Sequence, residues 1–190
     1  PQRQEYTAES PCRILYVSIV SPYKHQWHVA EAVARLRAEG FPVILELIGP
    51  ADSGISRLQK TIRRVDPNEV FVFYRGAVPY ESLERYYVEA DIGLFASSCE
   101  NMPNILLEGM AAGLPMACSR MGPMPEILGE AGEYFDPLDP VDIAAALRRL
   151  IESPELRERQ AQAAHDRALA YSWGRCADDT LKFLARIARK

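Results

Sequence analysis

Short apolar runs along this chain alternate with longer amphipathic stretches. Arg13 to Val20 (RILYVSIV) is the first run. Its length and its Ile and Val content predict a strand buried on both faces, as in parallel sheets. Ser21-Pro22 then opens a predicted helix, Ser as N-cap and Pro in the first turn, where its missing N–H costs nothing. Val29, Val33 and Leu36 put an apolar stripe on that helix, and Gly40 stops it. The alternation recurs with Val43 to Ile48 as strand, Gly54 to Val65 as helix and Val70 to Tyr74 as strand. Tyr80 to Ala90 reads as helix, Ile92 to Ala96 as strand, and Pro103 to Ala112 as a helix stopped by Gly113. Leu114 to Cys118 and Gly132 to Phe135 supply two more strands. Asp142 to Glu152, Glu155 to Tyr171 and Trp173 to Arg189 end the chain as helices.

Strands alternating with helices at this spacing imply βαβ units. The expected fold is α/β, a doubly wound parallel six-stranded sheet of Rossmann-like type. In such sheets ligands sit beyond the carboxyl ends of the strands, near the point where strand order reverses. The loops after Val20, Ile48, Tyr74 and Ala96 are therefore where chemistry is expected. The chain has no internal repeat and no low-complexity segment. Residues 1–11 read as a polar leader or interdomain linker and residues 12–190 as one domain.

Composition narrows the function classes. Of 190 residues 48% are apolar, and 22 Lys and Arg face 26 Asp and Glu. A formal charge of −4 supplies no global cationic field, which argues against nucleic acid as a partner. The longest stretch without a charged residue, Gly109 to Ser119, has 11 residues. A membrane span needs about 18, and Pro1 to Ser10 is too polar for a signal peptide. Cys12, Cys99, Cys118 and Cys176 are scattered and read as reduced thiols of a cytoplasmic protein.

Several chemistries are disfavoured. No G-x-G-x-x-G follows the first strand, and neither a P-loop nor a G-x-S-x-G elbow occurs. His25 and His28 lie three apart on one helix but have no further ligand at a recognised spacing. They read as surface or site-lining residues, and no metal is implied.

Ala96 to Ser119 (ASSCENMPNILLEGMAAGLPMACS) carries the most information. A strand ends, a polar loop follows, and Pro103 marks a helix start. There the amides of Asn104 and Ile105 are expected to be unpaired and able to cradle an anion. Glu108 follows in the second turn among Ile105, Leu106, Leu107, Met110, Ala111 and Ala112. A carboxylate in such surroundings needs donors. Sugar hydroxyls are suitable; a neighbouring backbone group or Arg is the competing partner. Glu100 lies eight residues earlier, and an acid exposed to solvent is its competing reading.

Glu100 and Glu108 frame an E-x7-E pattern followed by G-M-A-A-G-L-P. The segment resembles the donor-binding half of the group-1 GT-B retaining glycosyltransferases. The likeness runs from Cys12 onward and includes the turn at Pro125 to Ile127 and Tyr171-Ser172-Trp173. It implies that Glu108 holds the ribose hydroxyls of a nucleotide sugar and that Glu100 faces the donor sugar. Lys24, matching the family's lysine after the first strand, would stabilise the departing diphosphate together with the Asn104 and Ile105 amides. A solvated lysine on the first helix is the alternative for Lys24. The family's arginine five residues before this lysine is replaced by Ile19, and Arg75 is the candidate substitute cation.

No cofactor beyond the nucleotide-sugar substrate is implied. The acceptor, a saccharide or a lipid, would be held by a missing N-terminal domain, and this domain alone would be inactive. The helix from Trp173 to Arg189 would cross to that half. A peripheral membrane contact through Arg148, Arg149 and the basic ending stays open, although these read first as solvated helix faces. The five methionines at positions 102, 110, 116, 121 and 124 read as core. The alternative function is a non-catalytic nucleotide-binding module of the same fold.

Overall fold

The computed structural model describes residues 5–188. Residues 1–4, 189 and 190, with the start of the expected leader and the basic Arg189-Lys190 ending, lie outside them. Six strands form one parallel sheet: β1 (Cys12–Val17), β2 (Val43–Ile48), β3 (Val72–Gly76), β4 (Ile92–Phe95), β5 (Met116–Ser119) and β6 (Gly132–Phe135). Their order is β3-β2-β1-β4-β5-β6, so strand order reverses between β1 and β4. The first strand is shorter than expected. Beyond Val17 the chain leaves the ladder and returns only for an isolated bridge between Val20 and Ala51.

The connecting helices are α1 (Gln26–Ala38), α2 (Ile55–Val65), α3 (Tyr80–Glu89), α4 (Asn104–Ala111) and the short α5 (Met124–Leu128), followed by α6 (Pro140–Glu152), α7 (Pro154–Ala168) and α8 (Trp173–Ala188). Alternation along β1 sends Cys12, Ile14 and Tyr16 into the main core. Leu15 and Val17 go to a smaller cluster beneath Leu83, Tyr86 and Tyr87 of α3. α1 packs on α2 and α6, and α4 packs on α7.

One expectation about the first helix is corrected. Pro22–Lys24 form a separate 3-10 turn, His25 takes a left-handed conformation at φ 52°, and α1 starts only at Gln26. Ser21 does not cap; its hydroxyl donates to Asp52. Nor was α5 expected, because five residues are too few to show a helical period.

Tyr6 of the leader packs against the core, under the guanidinium of Arg157 at 4.8 Å. Met110, Met116 and Met124 are core residues as expected, whereas Met102 is exposed. α8 buries no residue, and Trp173, Leu181, Leu184 and Ile187 all stand exposed on it. Among the described residues no helix is long and apolar enough to cross a membrane.

Candidate functional site

The two strands at the reversal each deliver one half of a charged pair. Lys24 arrives on the turn after β1 and Glu100 on the loop after β4, and their side chains form an ion pair. Lys24 is only 6% exposed, which removes the solvated-lysine reading. Its ammonium lies 4.9 Å from the Phe95 ring centroid and 5.2 Å from that of Tyr23, contacts that favour a cation. The Glu100 side chain is 15% exposed, so it is not a freely solvated loop acid.

The turn carrying Lys24 is held from two sides. Below it, the buried Tyr16 hydroxyl donates to the Lys24 carbonyl at 2.8 Å. Across the reversal, the Ser98 amide donates to the Tyr23 carbonyl at 2.8 Å, and His25 Nε2 lies 2.8 Å from Ser98 Oγ. Burial, then the neighbouring His28 and Arg57, push the His25 imidazole below its ordinary pKa. The ring therefore meets Ser98 as a neutral group at neutral pH. His28 Nδ1 lies 2.9 Å from the Pro137 carbonyl, and the two imidazoles stack with centroids 5.6 Å apart. Both histidines line this end of the sheet.

The α4 start is only partly open. The Asn104 amide, expected to be unpaired, donates to the Met102 carbonyl at 3.0 Å. Leu106 and Leu107 donate to the Pro103 carbonyl at 3.0 and 3.2 Å. Among the described residues the Ile105 amide has no acceptor, so the anion-binding capacity of this helix start rests on Ile105 rather than on both residues.

Glu108 is half-buried, and its donor is neither backbone nor Arg. The Tyr87 hydroxyl of α3 donates to Glu108 Oε2 at 3.0 Å. A carboxylate accepts several hydrogen bonds, so capacity for a ligand remains.

Arg75 is not brought to the Lys24–Glu100 pair. Its guanidinium bonds Glu46 Oε1 at 3.0 Å, while Arg13 holds Glu46 Oε2 at 2.9 Å. Glu46 is 4% exposed in the middle of β2, and the two arginines compensate its charge. An acid inside the run VILELI is the signal that could have revealed this network, since such a group must be paired.

The site thus lies beyond the carboxyl ends of β1 and β4, the position that doubly wound sheets reserve for ligands. The chain belongs to the glycosyl transferases group 1 family, whose model matches residues 11–153. It is 28% identical over 185 residues to the O-antigen chain mannosyltransferase B of Escherichia coli, covering 95% of this chain and 48% of that protein. It is 30% identical over 175 residues to the MMP alpha-(1->4)-mannosyltransferase of Mycolicibacterium hassiacum, covering 88% and 42%. The fold is similar to that of HepE from Anabaena, solved in complex with UDP and glucose. The TM-score is 0.82 at 19% identity over 94% of this chain and 49% of that one. The chain spans about half the length of the curated relatives it matches. The expected group-1 family and the doubly wound, Rossmann-like α/β fold are both borne out.

Proposed function

We propose that this chain is the donor-binding half of a glycosyltransferase that moves a sugar from a nucleoside diphosphate to an acceptor with retention of configuration. The observation that carries the reading is the buried Lys24–Glu100 pair at the strand reversal. The family match, and the UDP and glucose bound to HepE, support it. On this reading the incoming diphosphate displaces Glu100 from Lys24, and the Ile105 amide adds a second donor. Lys24 then stabilises the charge that grows on the diphosphate as the sugar leaves, an effect often dominant in such transfers. Glu100, released, faces the sugar, and Glu108 accepts from the ribose hydroxyls. No metal is required, since fixed cationic and amide donors take that part. Arg75 would have to leave Glu46 to contribute, so the reading rests on Lys24.

The acceptor, saccharide or lipid, belongs on this reading to residues beyond the chain, and the exposed apolar side of α8 suits packing against them. The purified chain is expected to bind nucleotide but to transfer no sugar. Calorimetry with UDP, GDP, ADP and NAD is the direct test. A nucleoside diphosphate binding well above its nucleoside supports the reading, and equal affinity for both sinks it.

A second test concerns Glu108. Glu108→Gln is expected to weaken the nucleotide about tenfold or more, since a hydrogen bond to a charged group is worth about 1.5–3 kcal/mol. Unchanged affinity for every nucleotide tried would remove Glu108 from the site.

Ile19 favours a second reading, a nucleotide-binding module without a catalytic task, because the family arginine is missing there. Ile19 is 38% exposed, and its carbonyl is anchored by Gln26 Nε2 at 2.8 Å, so the side chain can change without moving the loop. Ile19→Arg is expected to tighten the diphosphate about tenfold with little change for the nucleoside. If it leaves the diphosphate unaffected, no second cation is missing at this position.

A further inference from the structure

Glu108 is held from behind by a residue that no motif singled out. Tyr87 lies in the last turn of α3, and its hydroxyl donates to Glu108 Oε2 at 3.0 Å. Among the described residues Glu108 Oε1 has no hydrogen-bond partner. Within α4 only Asn104, one turn earlier, carries a donor side chain, and among the described residues it makes no hydrogen bond to Glu108. The anchor comes from a different helix. The Tyr87 ring packs against the cluster of Leu15, Val17 and Ile48 together with Ile105, so the hydroxyl is referenced to the sheet and to the start of α4 at once. Tyr87 also lines a cavity of about 630 Å³ at the amino ends of β4 and β5, together with Asp91, Gly113 and His165. Burial first, and then the Glu108 charge, push the phenol far above its ordinary pKa, so the hydroxyl keeps its proton.

We propose that Tyr87 is the positioning residue for Glu108: it occupies one carboxylate oxygen and holds the other in place for the ribose diol. The inference rests on the reading of Glu108 as the ribose ligand. A glutamate on a helix face samples several rotamers, and fixing one only when ligand arrives lowers affinity. Tyr87 fixes it beforehand, and its contribution therefore appears only in the part of the affinity that the ribose hydroxyls supply.

The experiment compares UDP and GDP with their 2′,3′-dideoxy analogues by calorimetry on the wild-type chain, on Tyr87→Phe, and on Tyr87→Phe combined with Glu108→Gln. Wild type is expected to prefer the ribonucleotide by about tenfold or more. Tyr87→Phe keeps the ring and removes one oxygen; the preference is expected to shrink at least about threefold while the dideoxy affinity stays the same. Adding Glu108→Gln is expected to abolish what preference remains. If neither diphosphate binds, or wild type shows no preference, the reading of Glu108 fails and this inference with it. If wild type shows the preference and Tyr87→Phe retains it in full, Tyr87 does not position Glu108 although the ribose role stands. Equal weakening of both analogues by Tyr87→Phe would also overturn the inference, since it marks a merely structural part.

Discussion

Lys24→Ala is expected to weaken a nucleoside diphosphate by about a hundredfold and the matching nucleoside hardly at all. Loss of one charge-assisted contact to phosphate accounts for about 1.5–3 kcal/mol, or roughly ten- to a hundredfold. The upper end applies here because of what remains. Glu100 is paired with Lys24 and largely shielded, so removing the ammonium leaves an uncompensated carboxylate facing the phosphates. The site loses a cation and exposes an anion in one step. Glu100→Gln in the Lys24→Ala background is therefore expected to recover part of the affinity. Calorimetry at two salt concentrations checks the electrostatic origin, since a phosphate contact open to water is screened. If diphosphate and nucleoside fall equally, Lys24 is not the phosphate ligand, and the Ile105 amide would hold the anion alone.

The legibility of this molecule in its sequence followed the range of the interactions concerned. The sheet was readable because each strand is a continuous apolar run bounded by turn residues, and because alternating elements leave few topologies. That Lys24 and Glu100 would share one end of the sheet follows from their places after β1 and β4, a property of the fold class. Their direct pairing and burial, by contrast, depend on Tyr16 beneath the turn and on Phe95 and Ser98, which stand 71 and 73 residues after their partners Lys24 and His25. Arg75 reads as a candidate cation for the diphosphate because an arginine ending a strand looks free in one dimension. Glu46, 29 residues earlier, takes it in three. The Asn104 amide was expected to be open because helix starts generally are; the chain doubles back locally and gives it the Met102 carbonyl. Tyr87 carried no signal, since one tyrosine of a helix that also holds Tyr80 and Tyr86 has nothing in its spacing to mark it.

Gly49→Ala is expected to lower the melting temperature by roughly 5–20 °C, and to loosen the loop that carries Lys24 as it does so. Gly49 follows β2 directly with φ at +146°, a conformation costly for any residue with a Cβ. Space is lacking as well: a Cβ there would overlap the carbonyl of Ser18, backbone that cannot rotate away. Both partners are pinned. The Ser18 amide donates to the Ile48 carbonyl at 2.7 Å and the Gly49 amide to the Gly76 carbonyl at 2.9 Å. The Tyr74 hydroxyl donates to the Gly49 carbonyl at 3.0 Å. Relief requires the ends of β1 and β2 to part, and with them the bridge between Val20 and Ala51 that leads the chain into the Lys24 turn. Strain of about 1–3 kcal/mol from the dihedral and a similar amount from the overlap give about 2–6 kcal/mol in all. Gly40→Ala supplies the control, because Gly40 also has a positive φ, +93°, but nothing lies within 4 Å of where its Cβ would stand. It should show the dihedral cost alone. Thermal unfolding of the two variants beside the wild type separates the terms. A Gly49→Ala protein that melts no lower than Gly40→Ala would mean that the close approach of β1 and β2 does not hold the Lys24 loop in place.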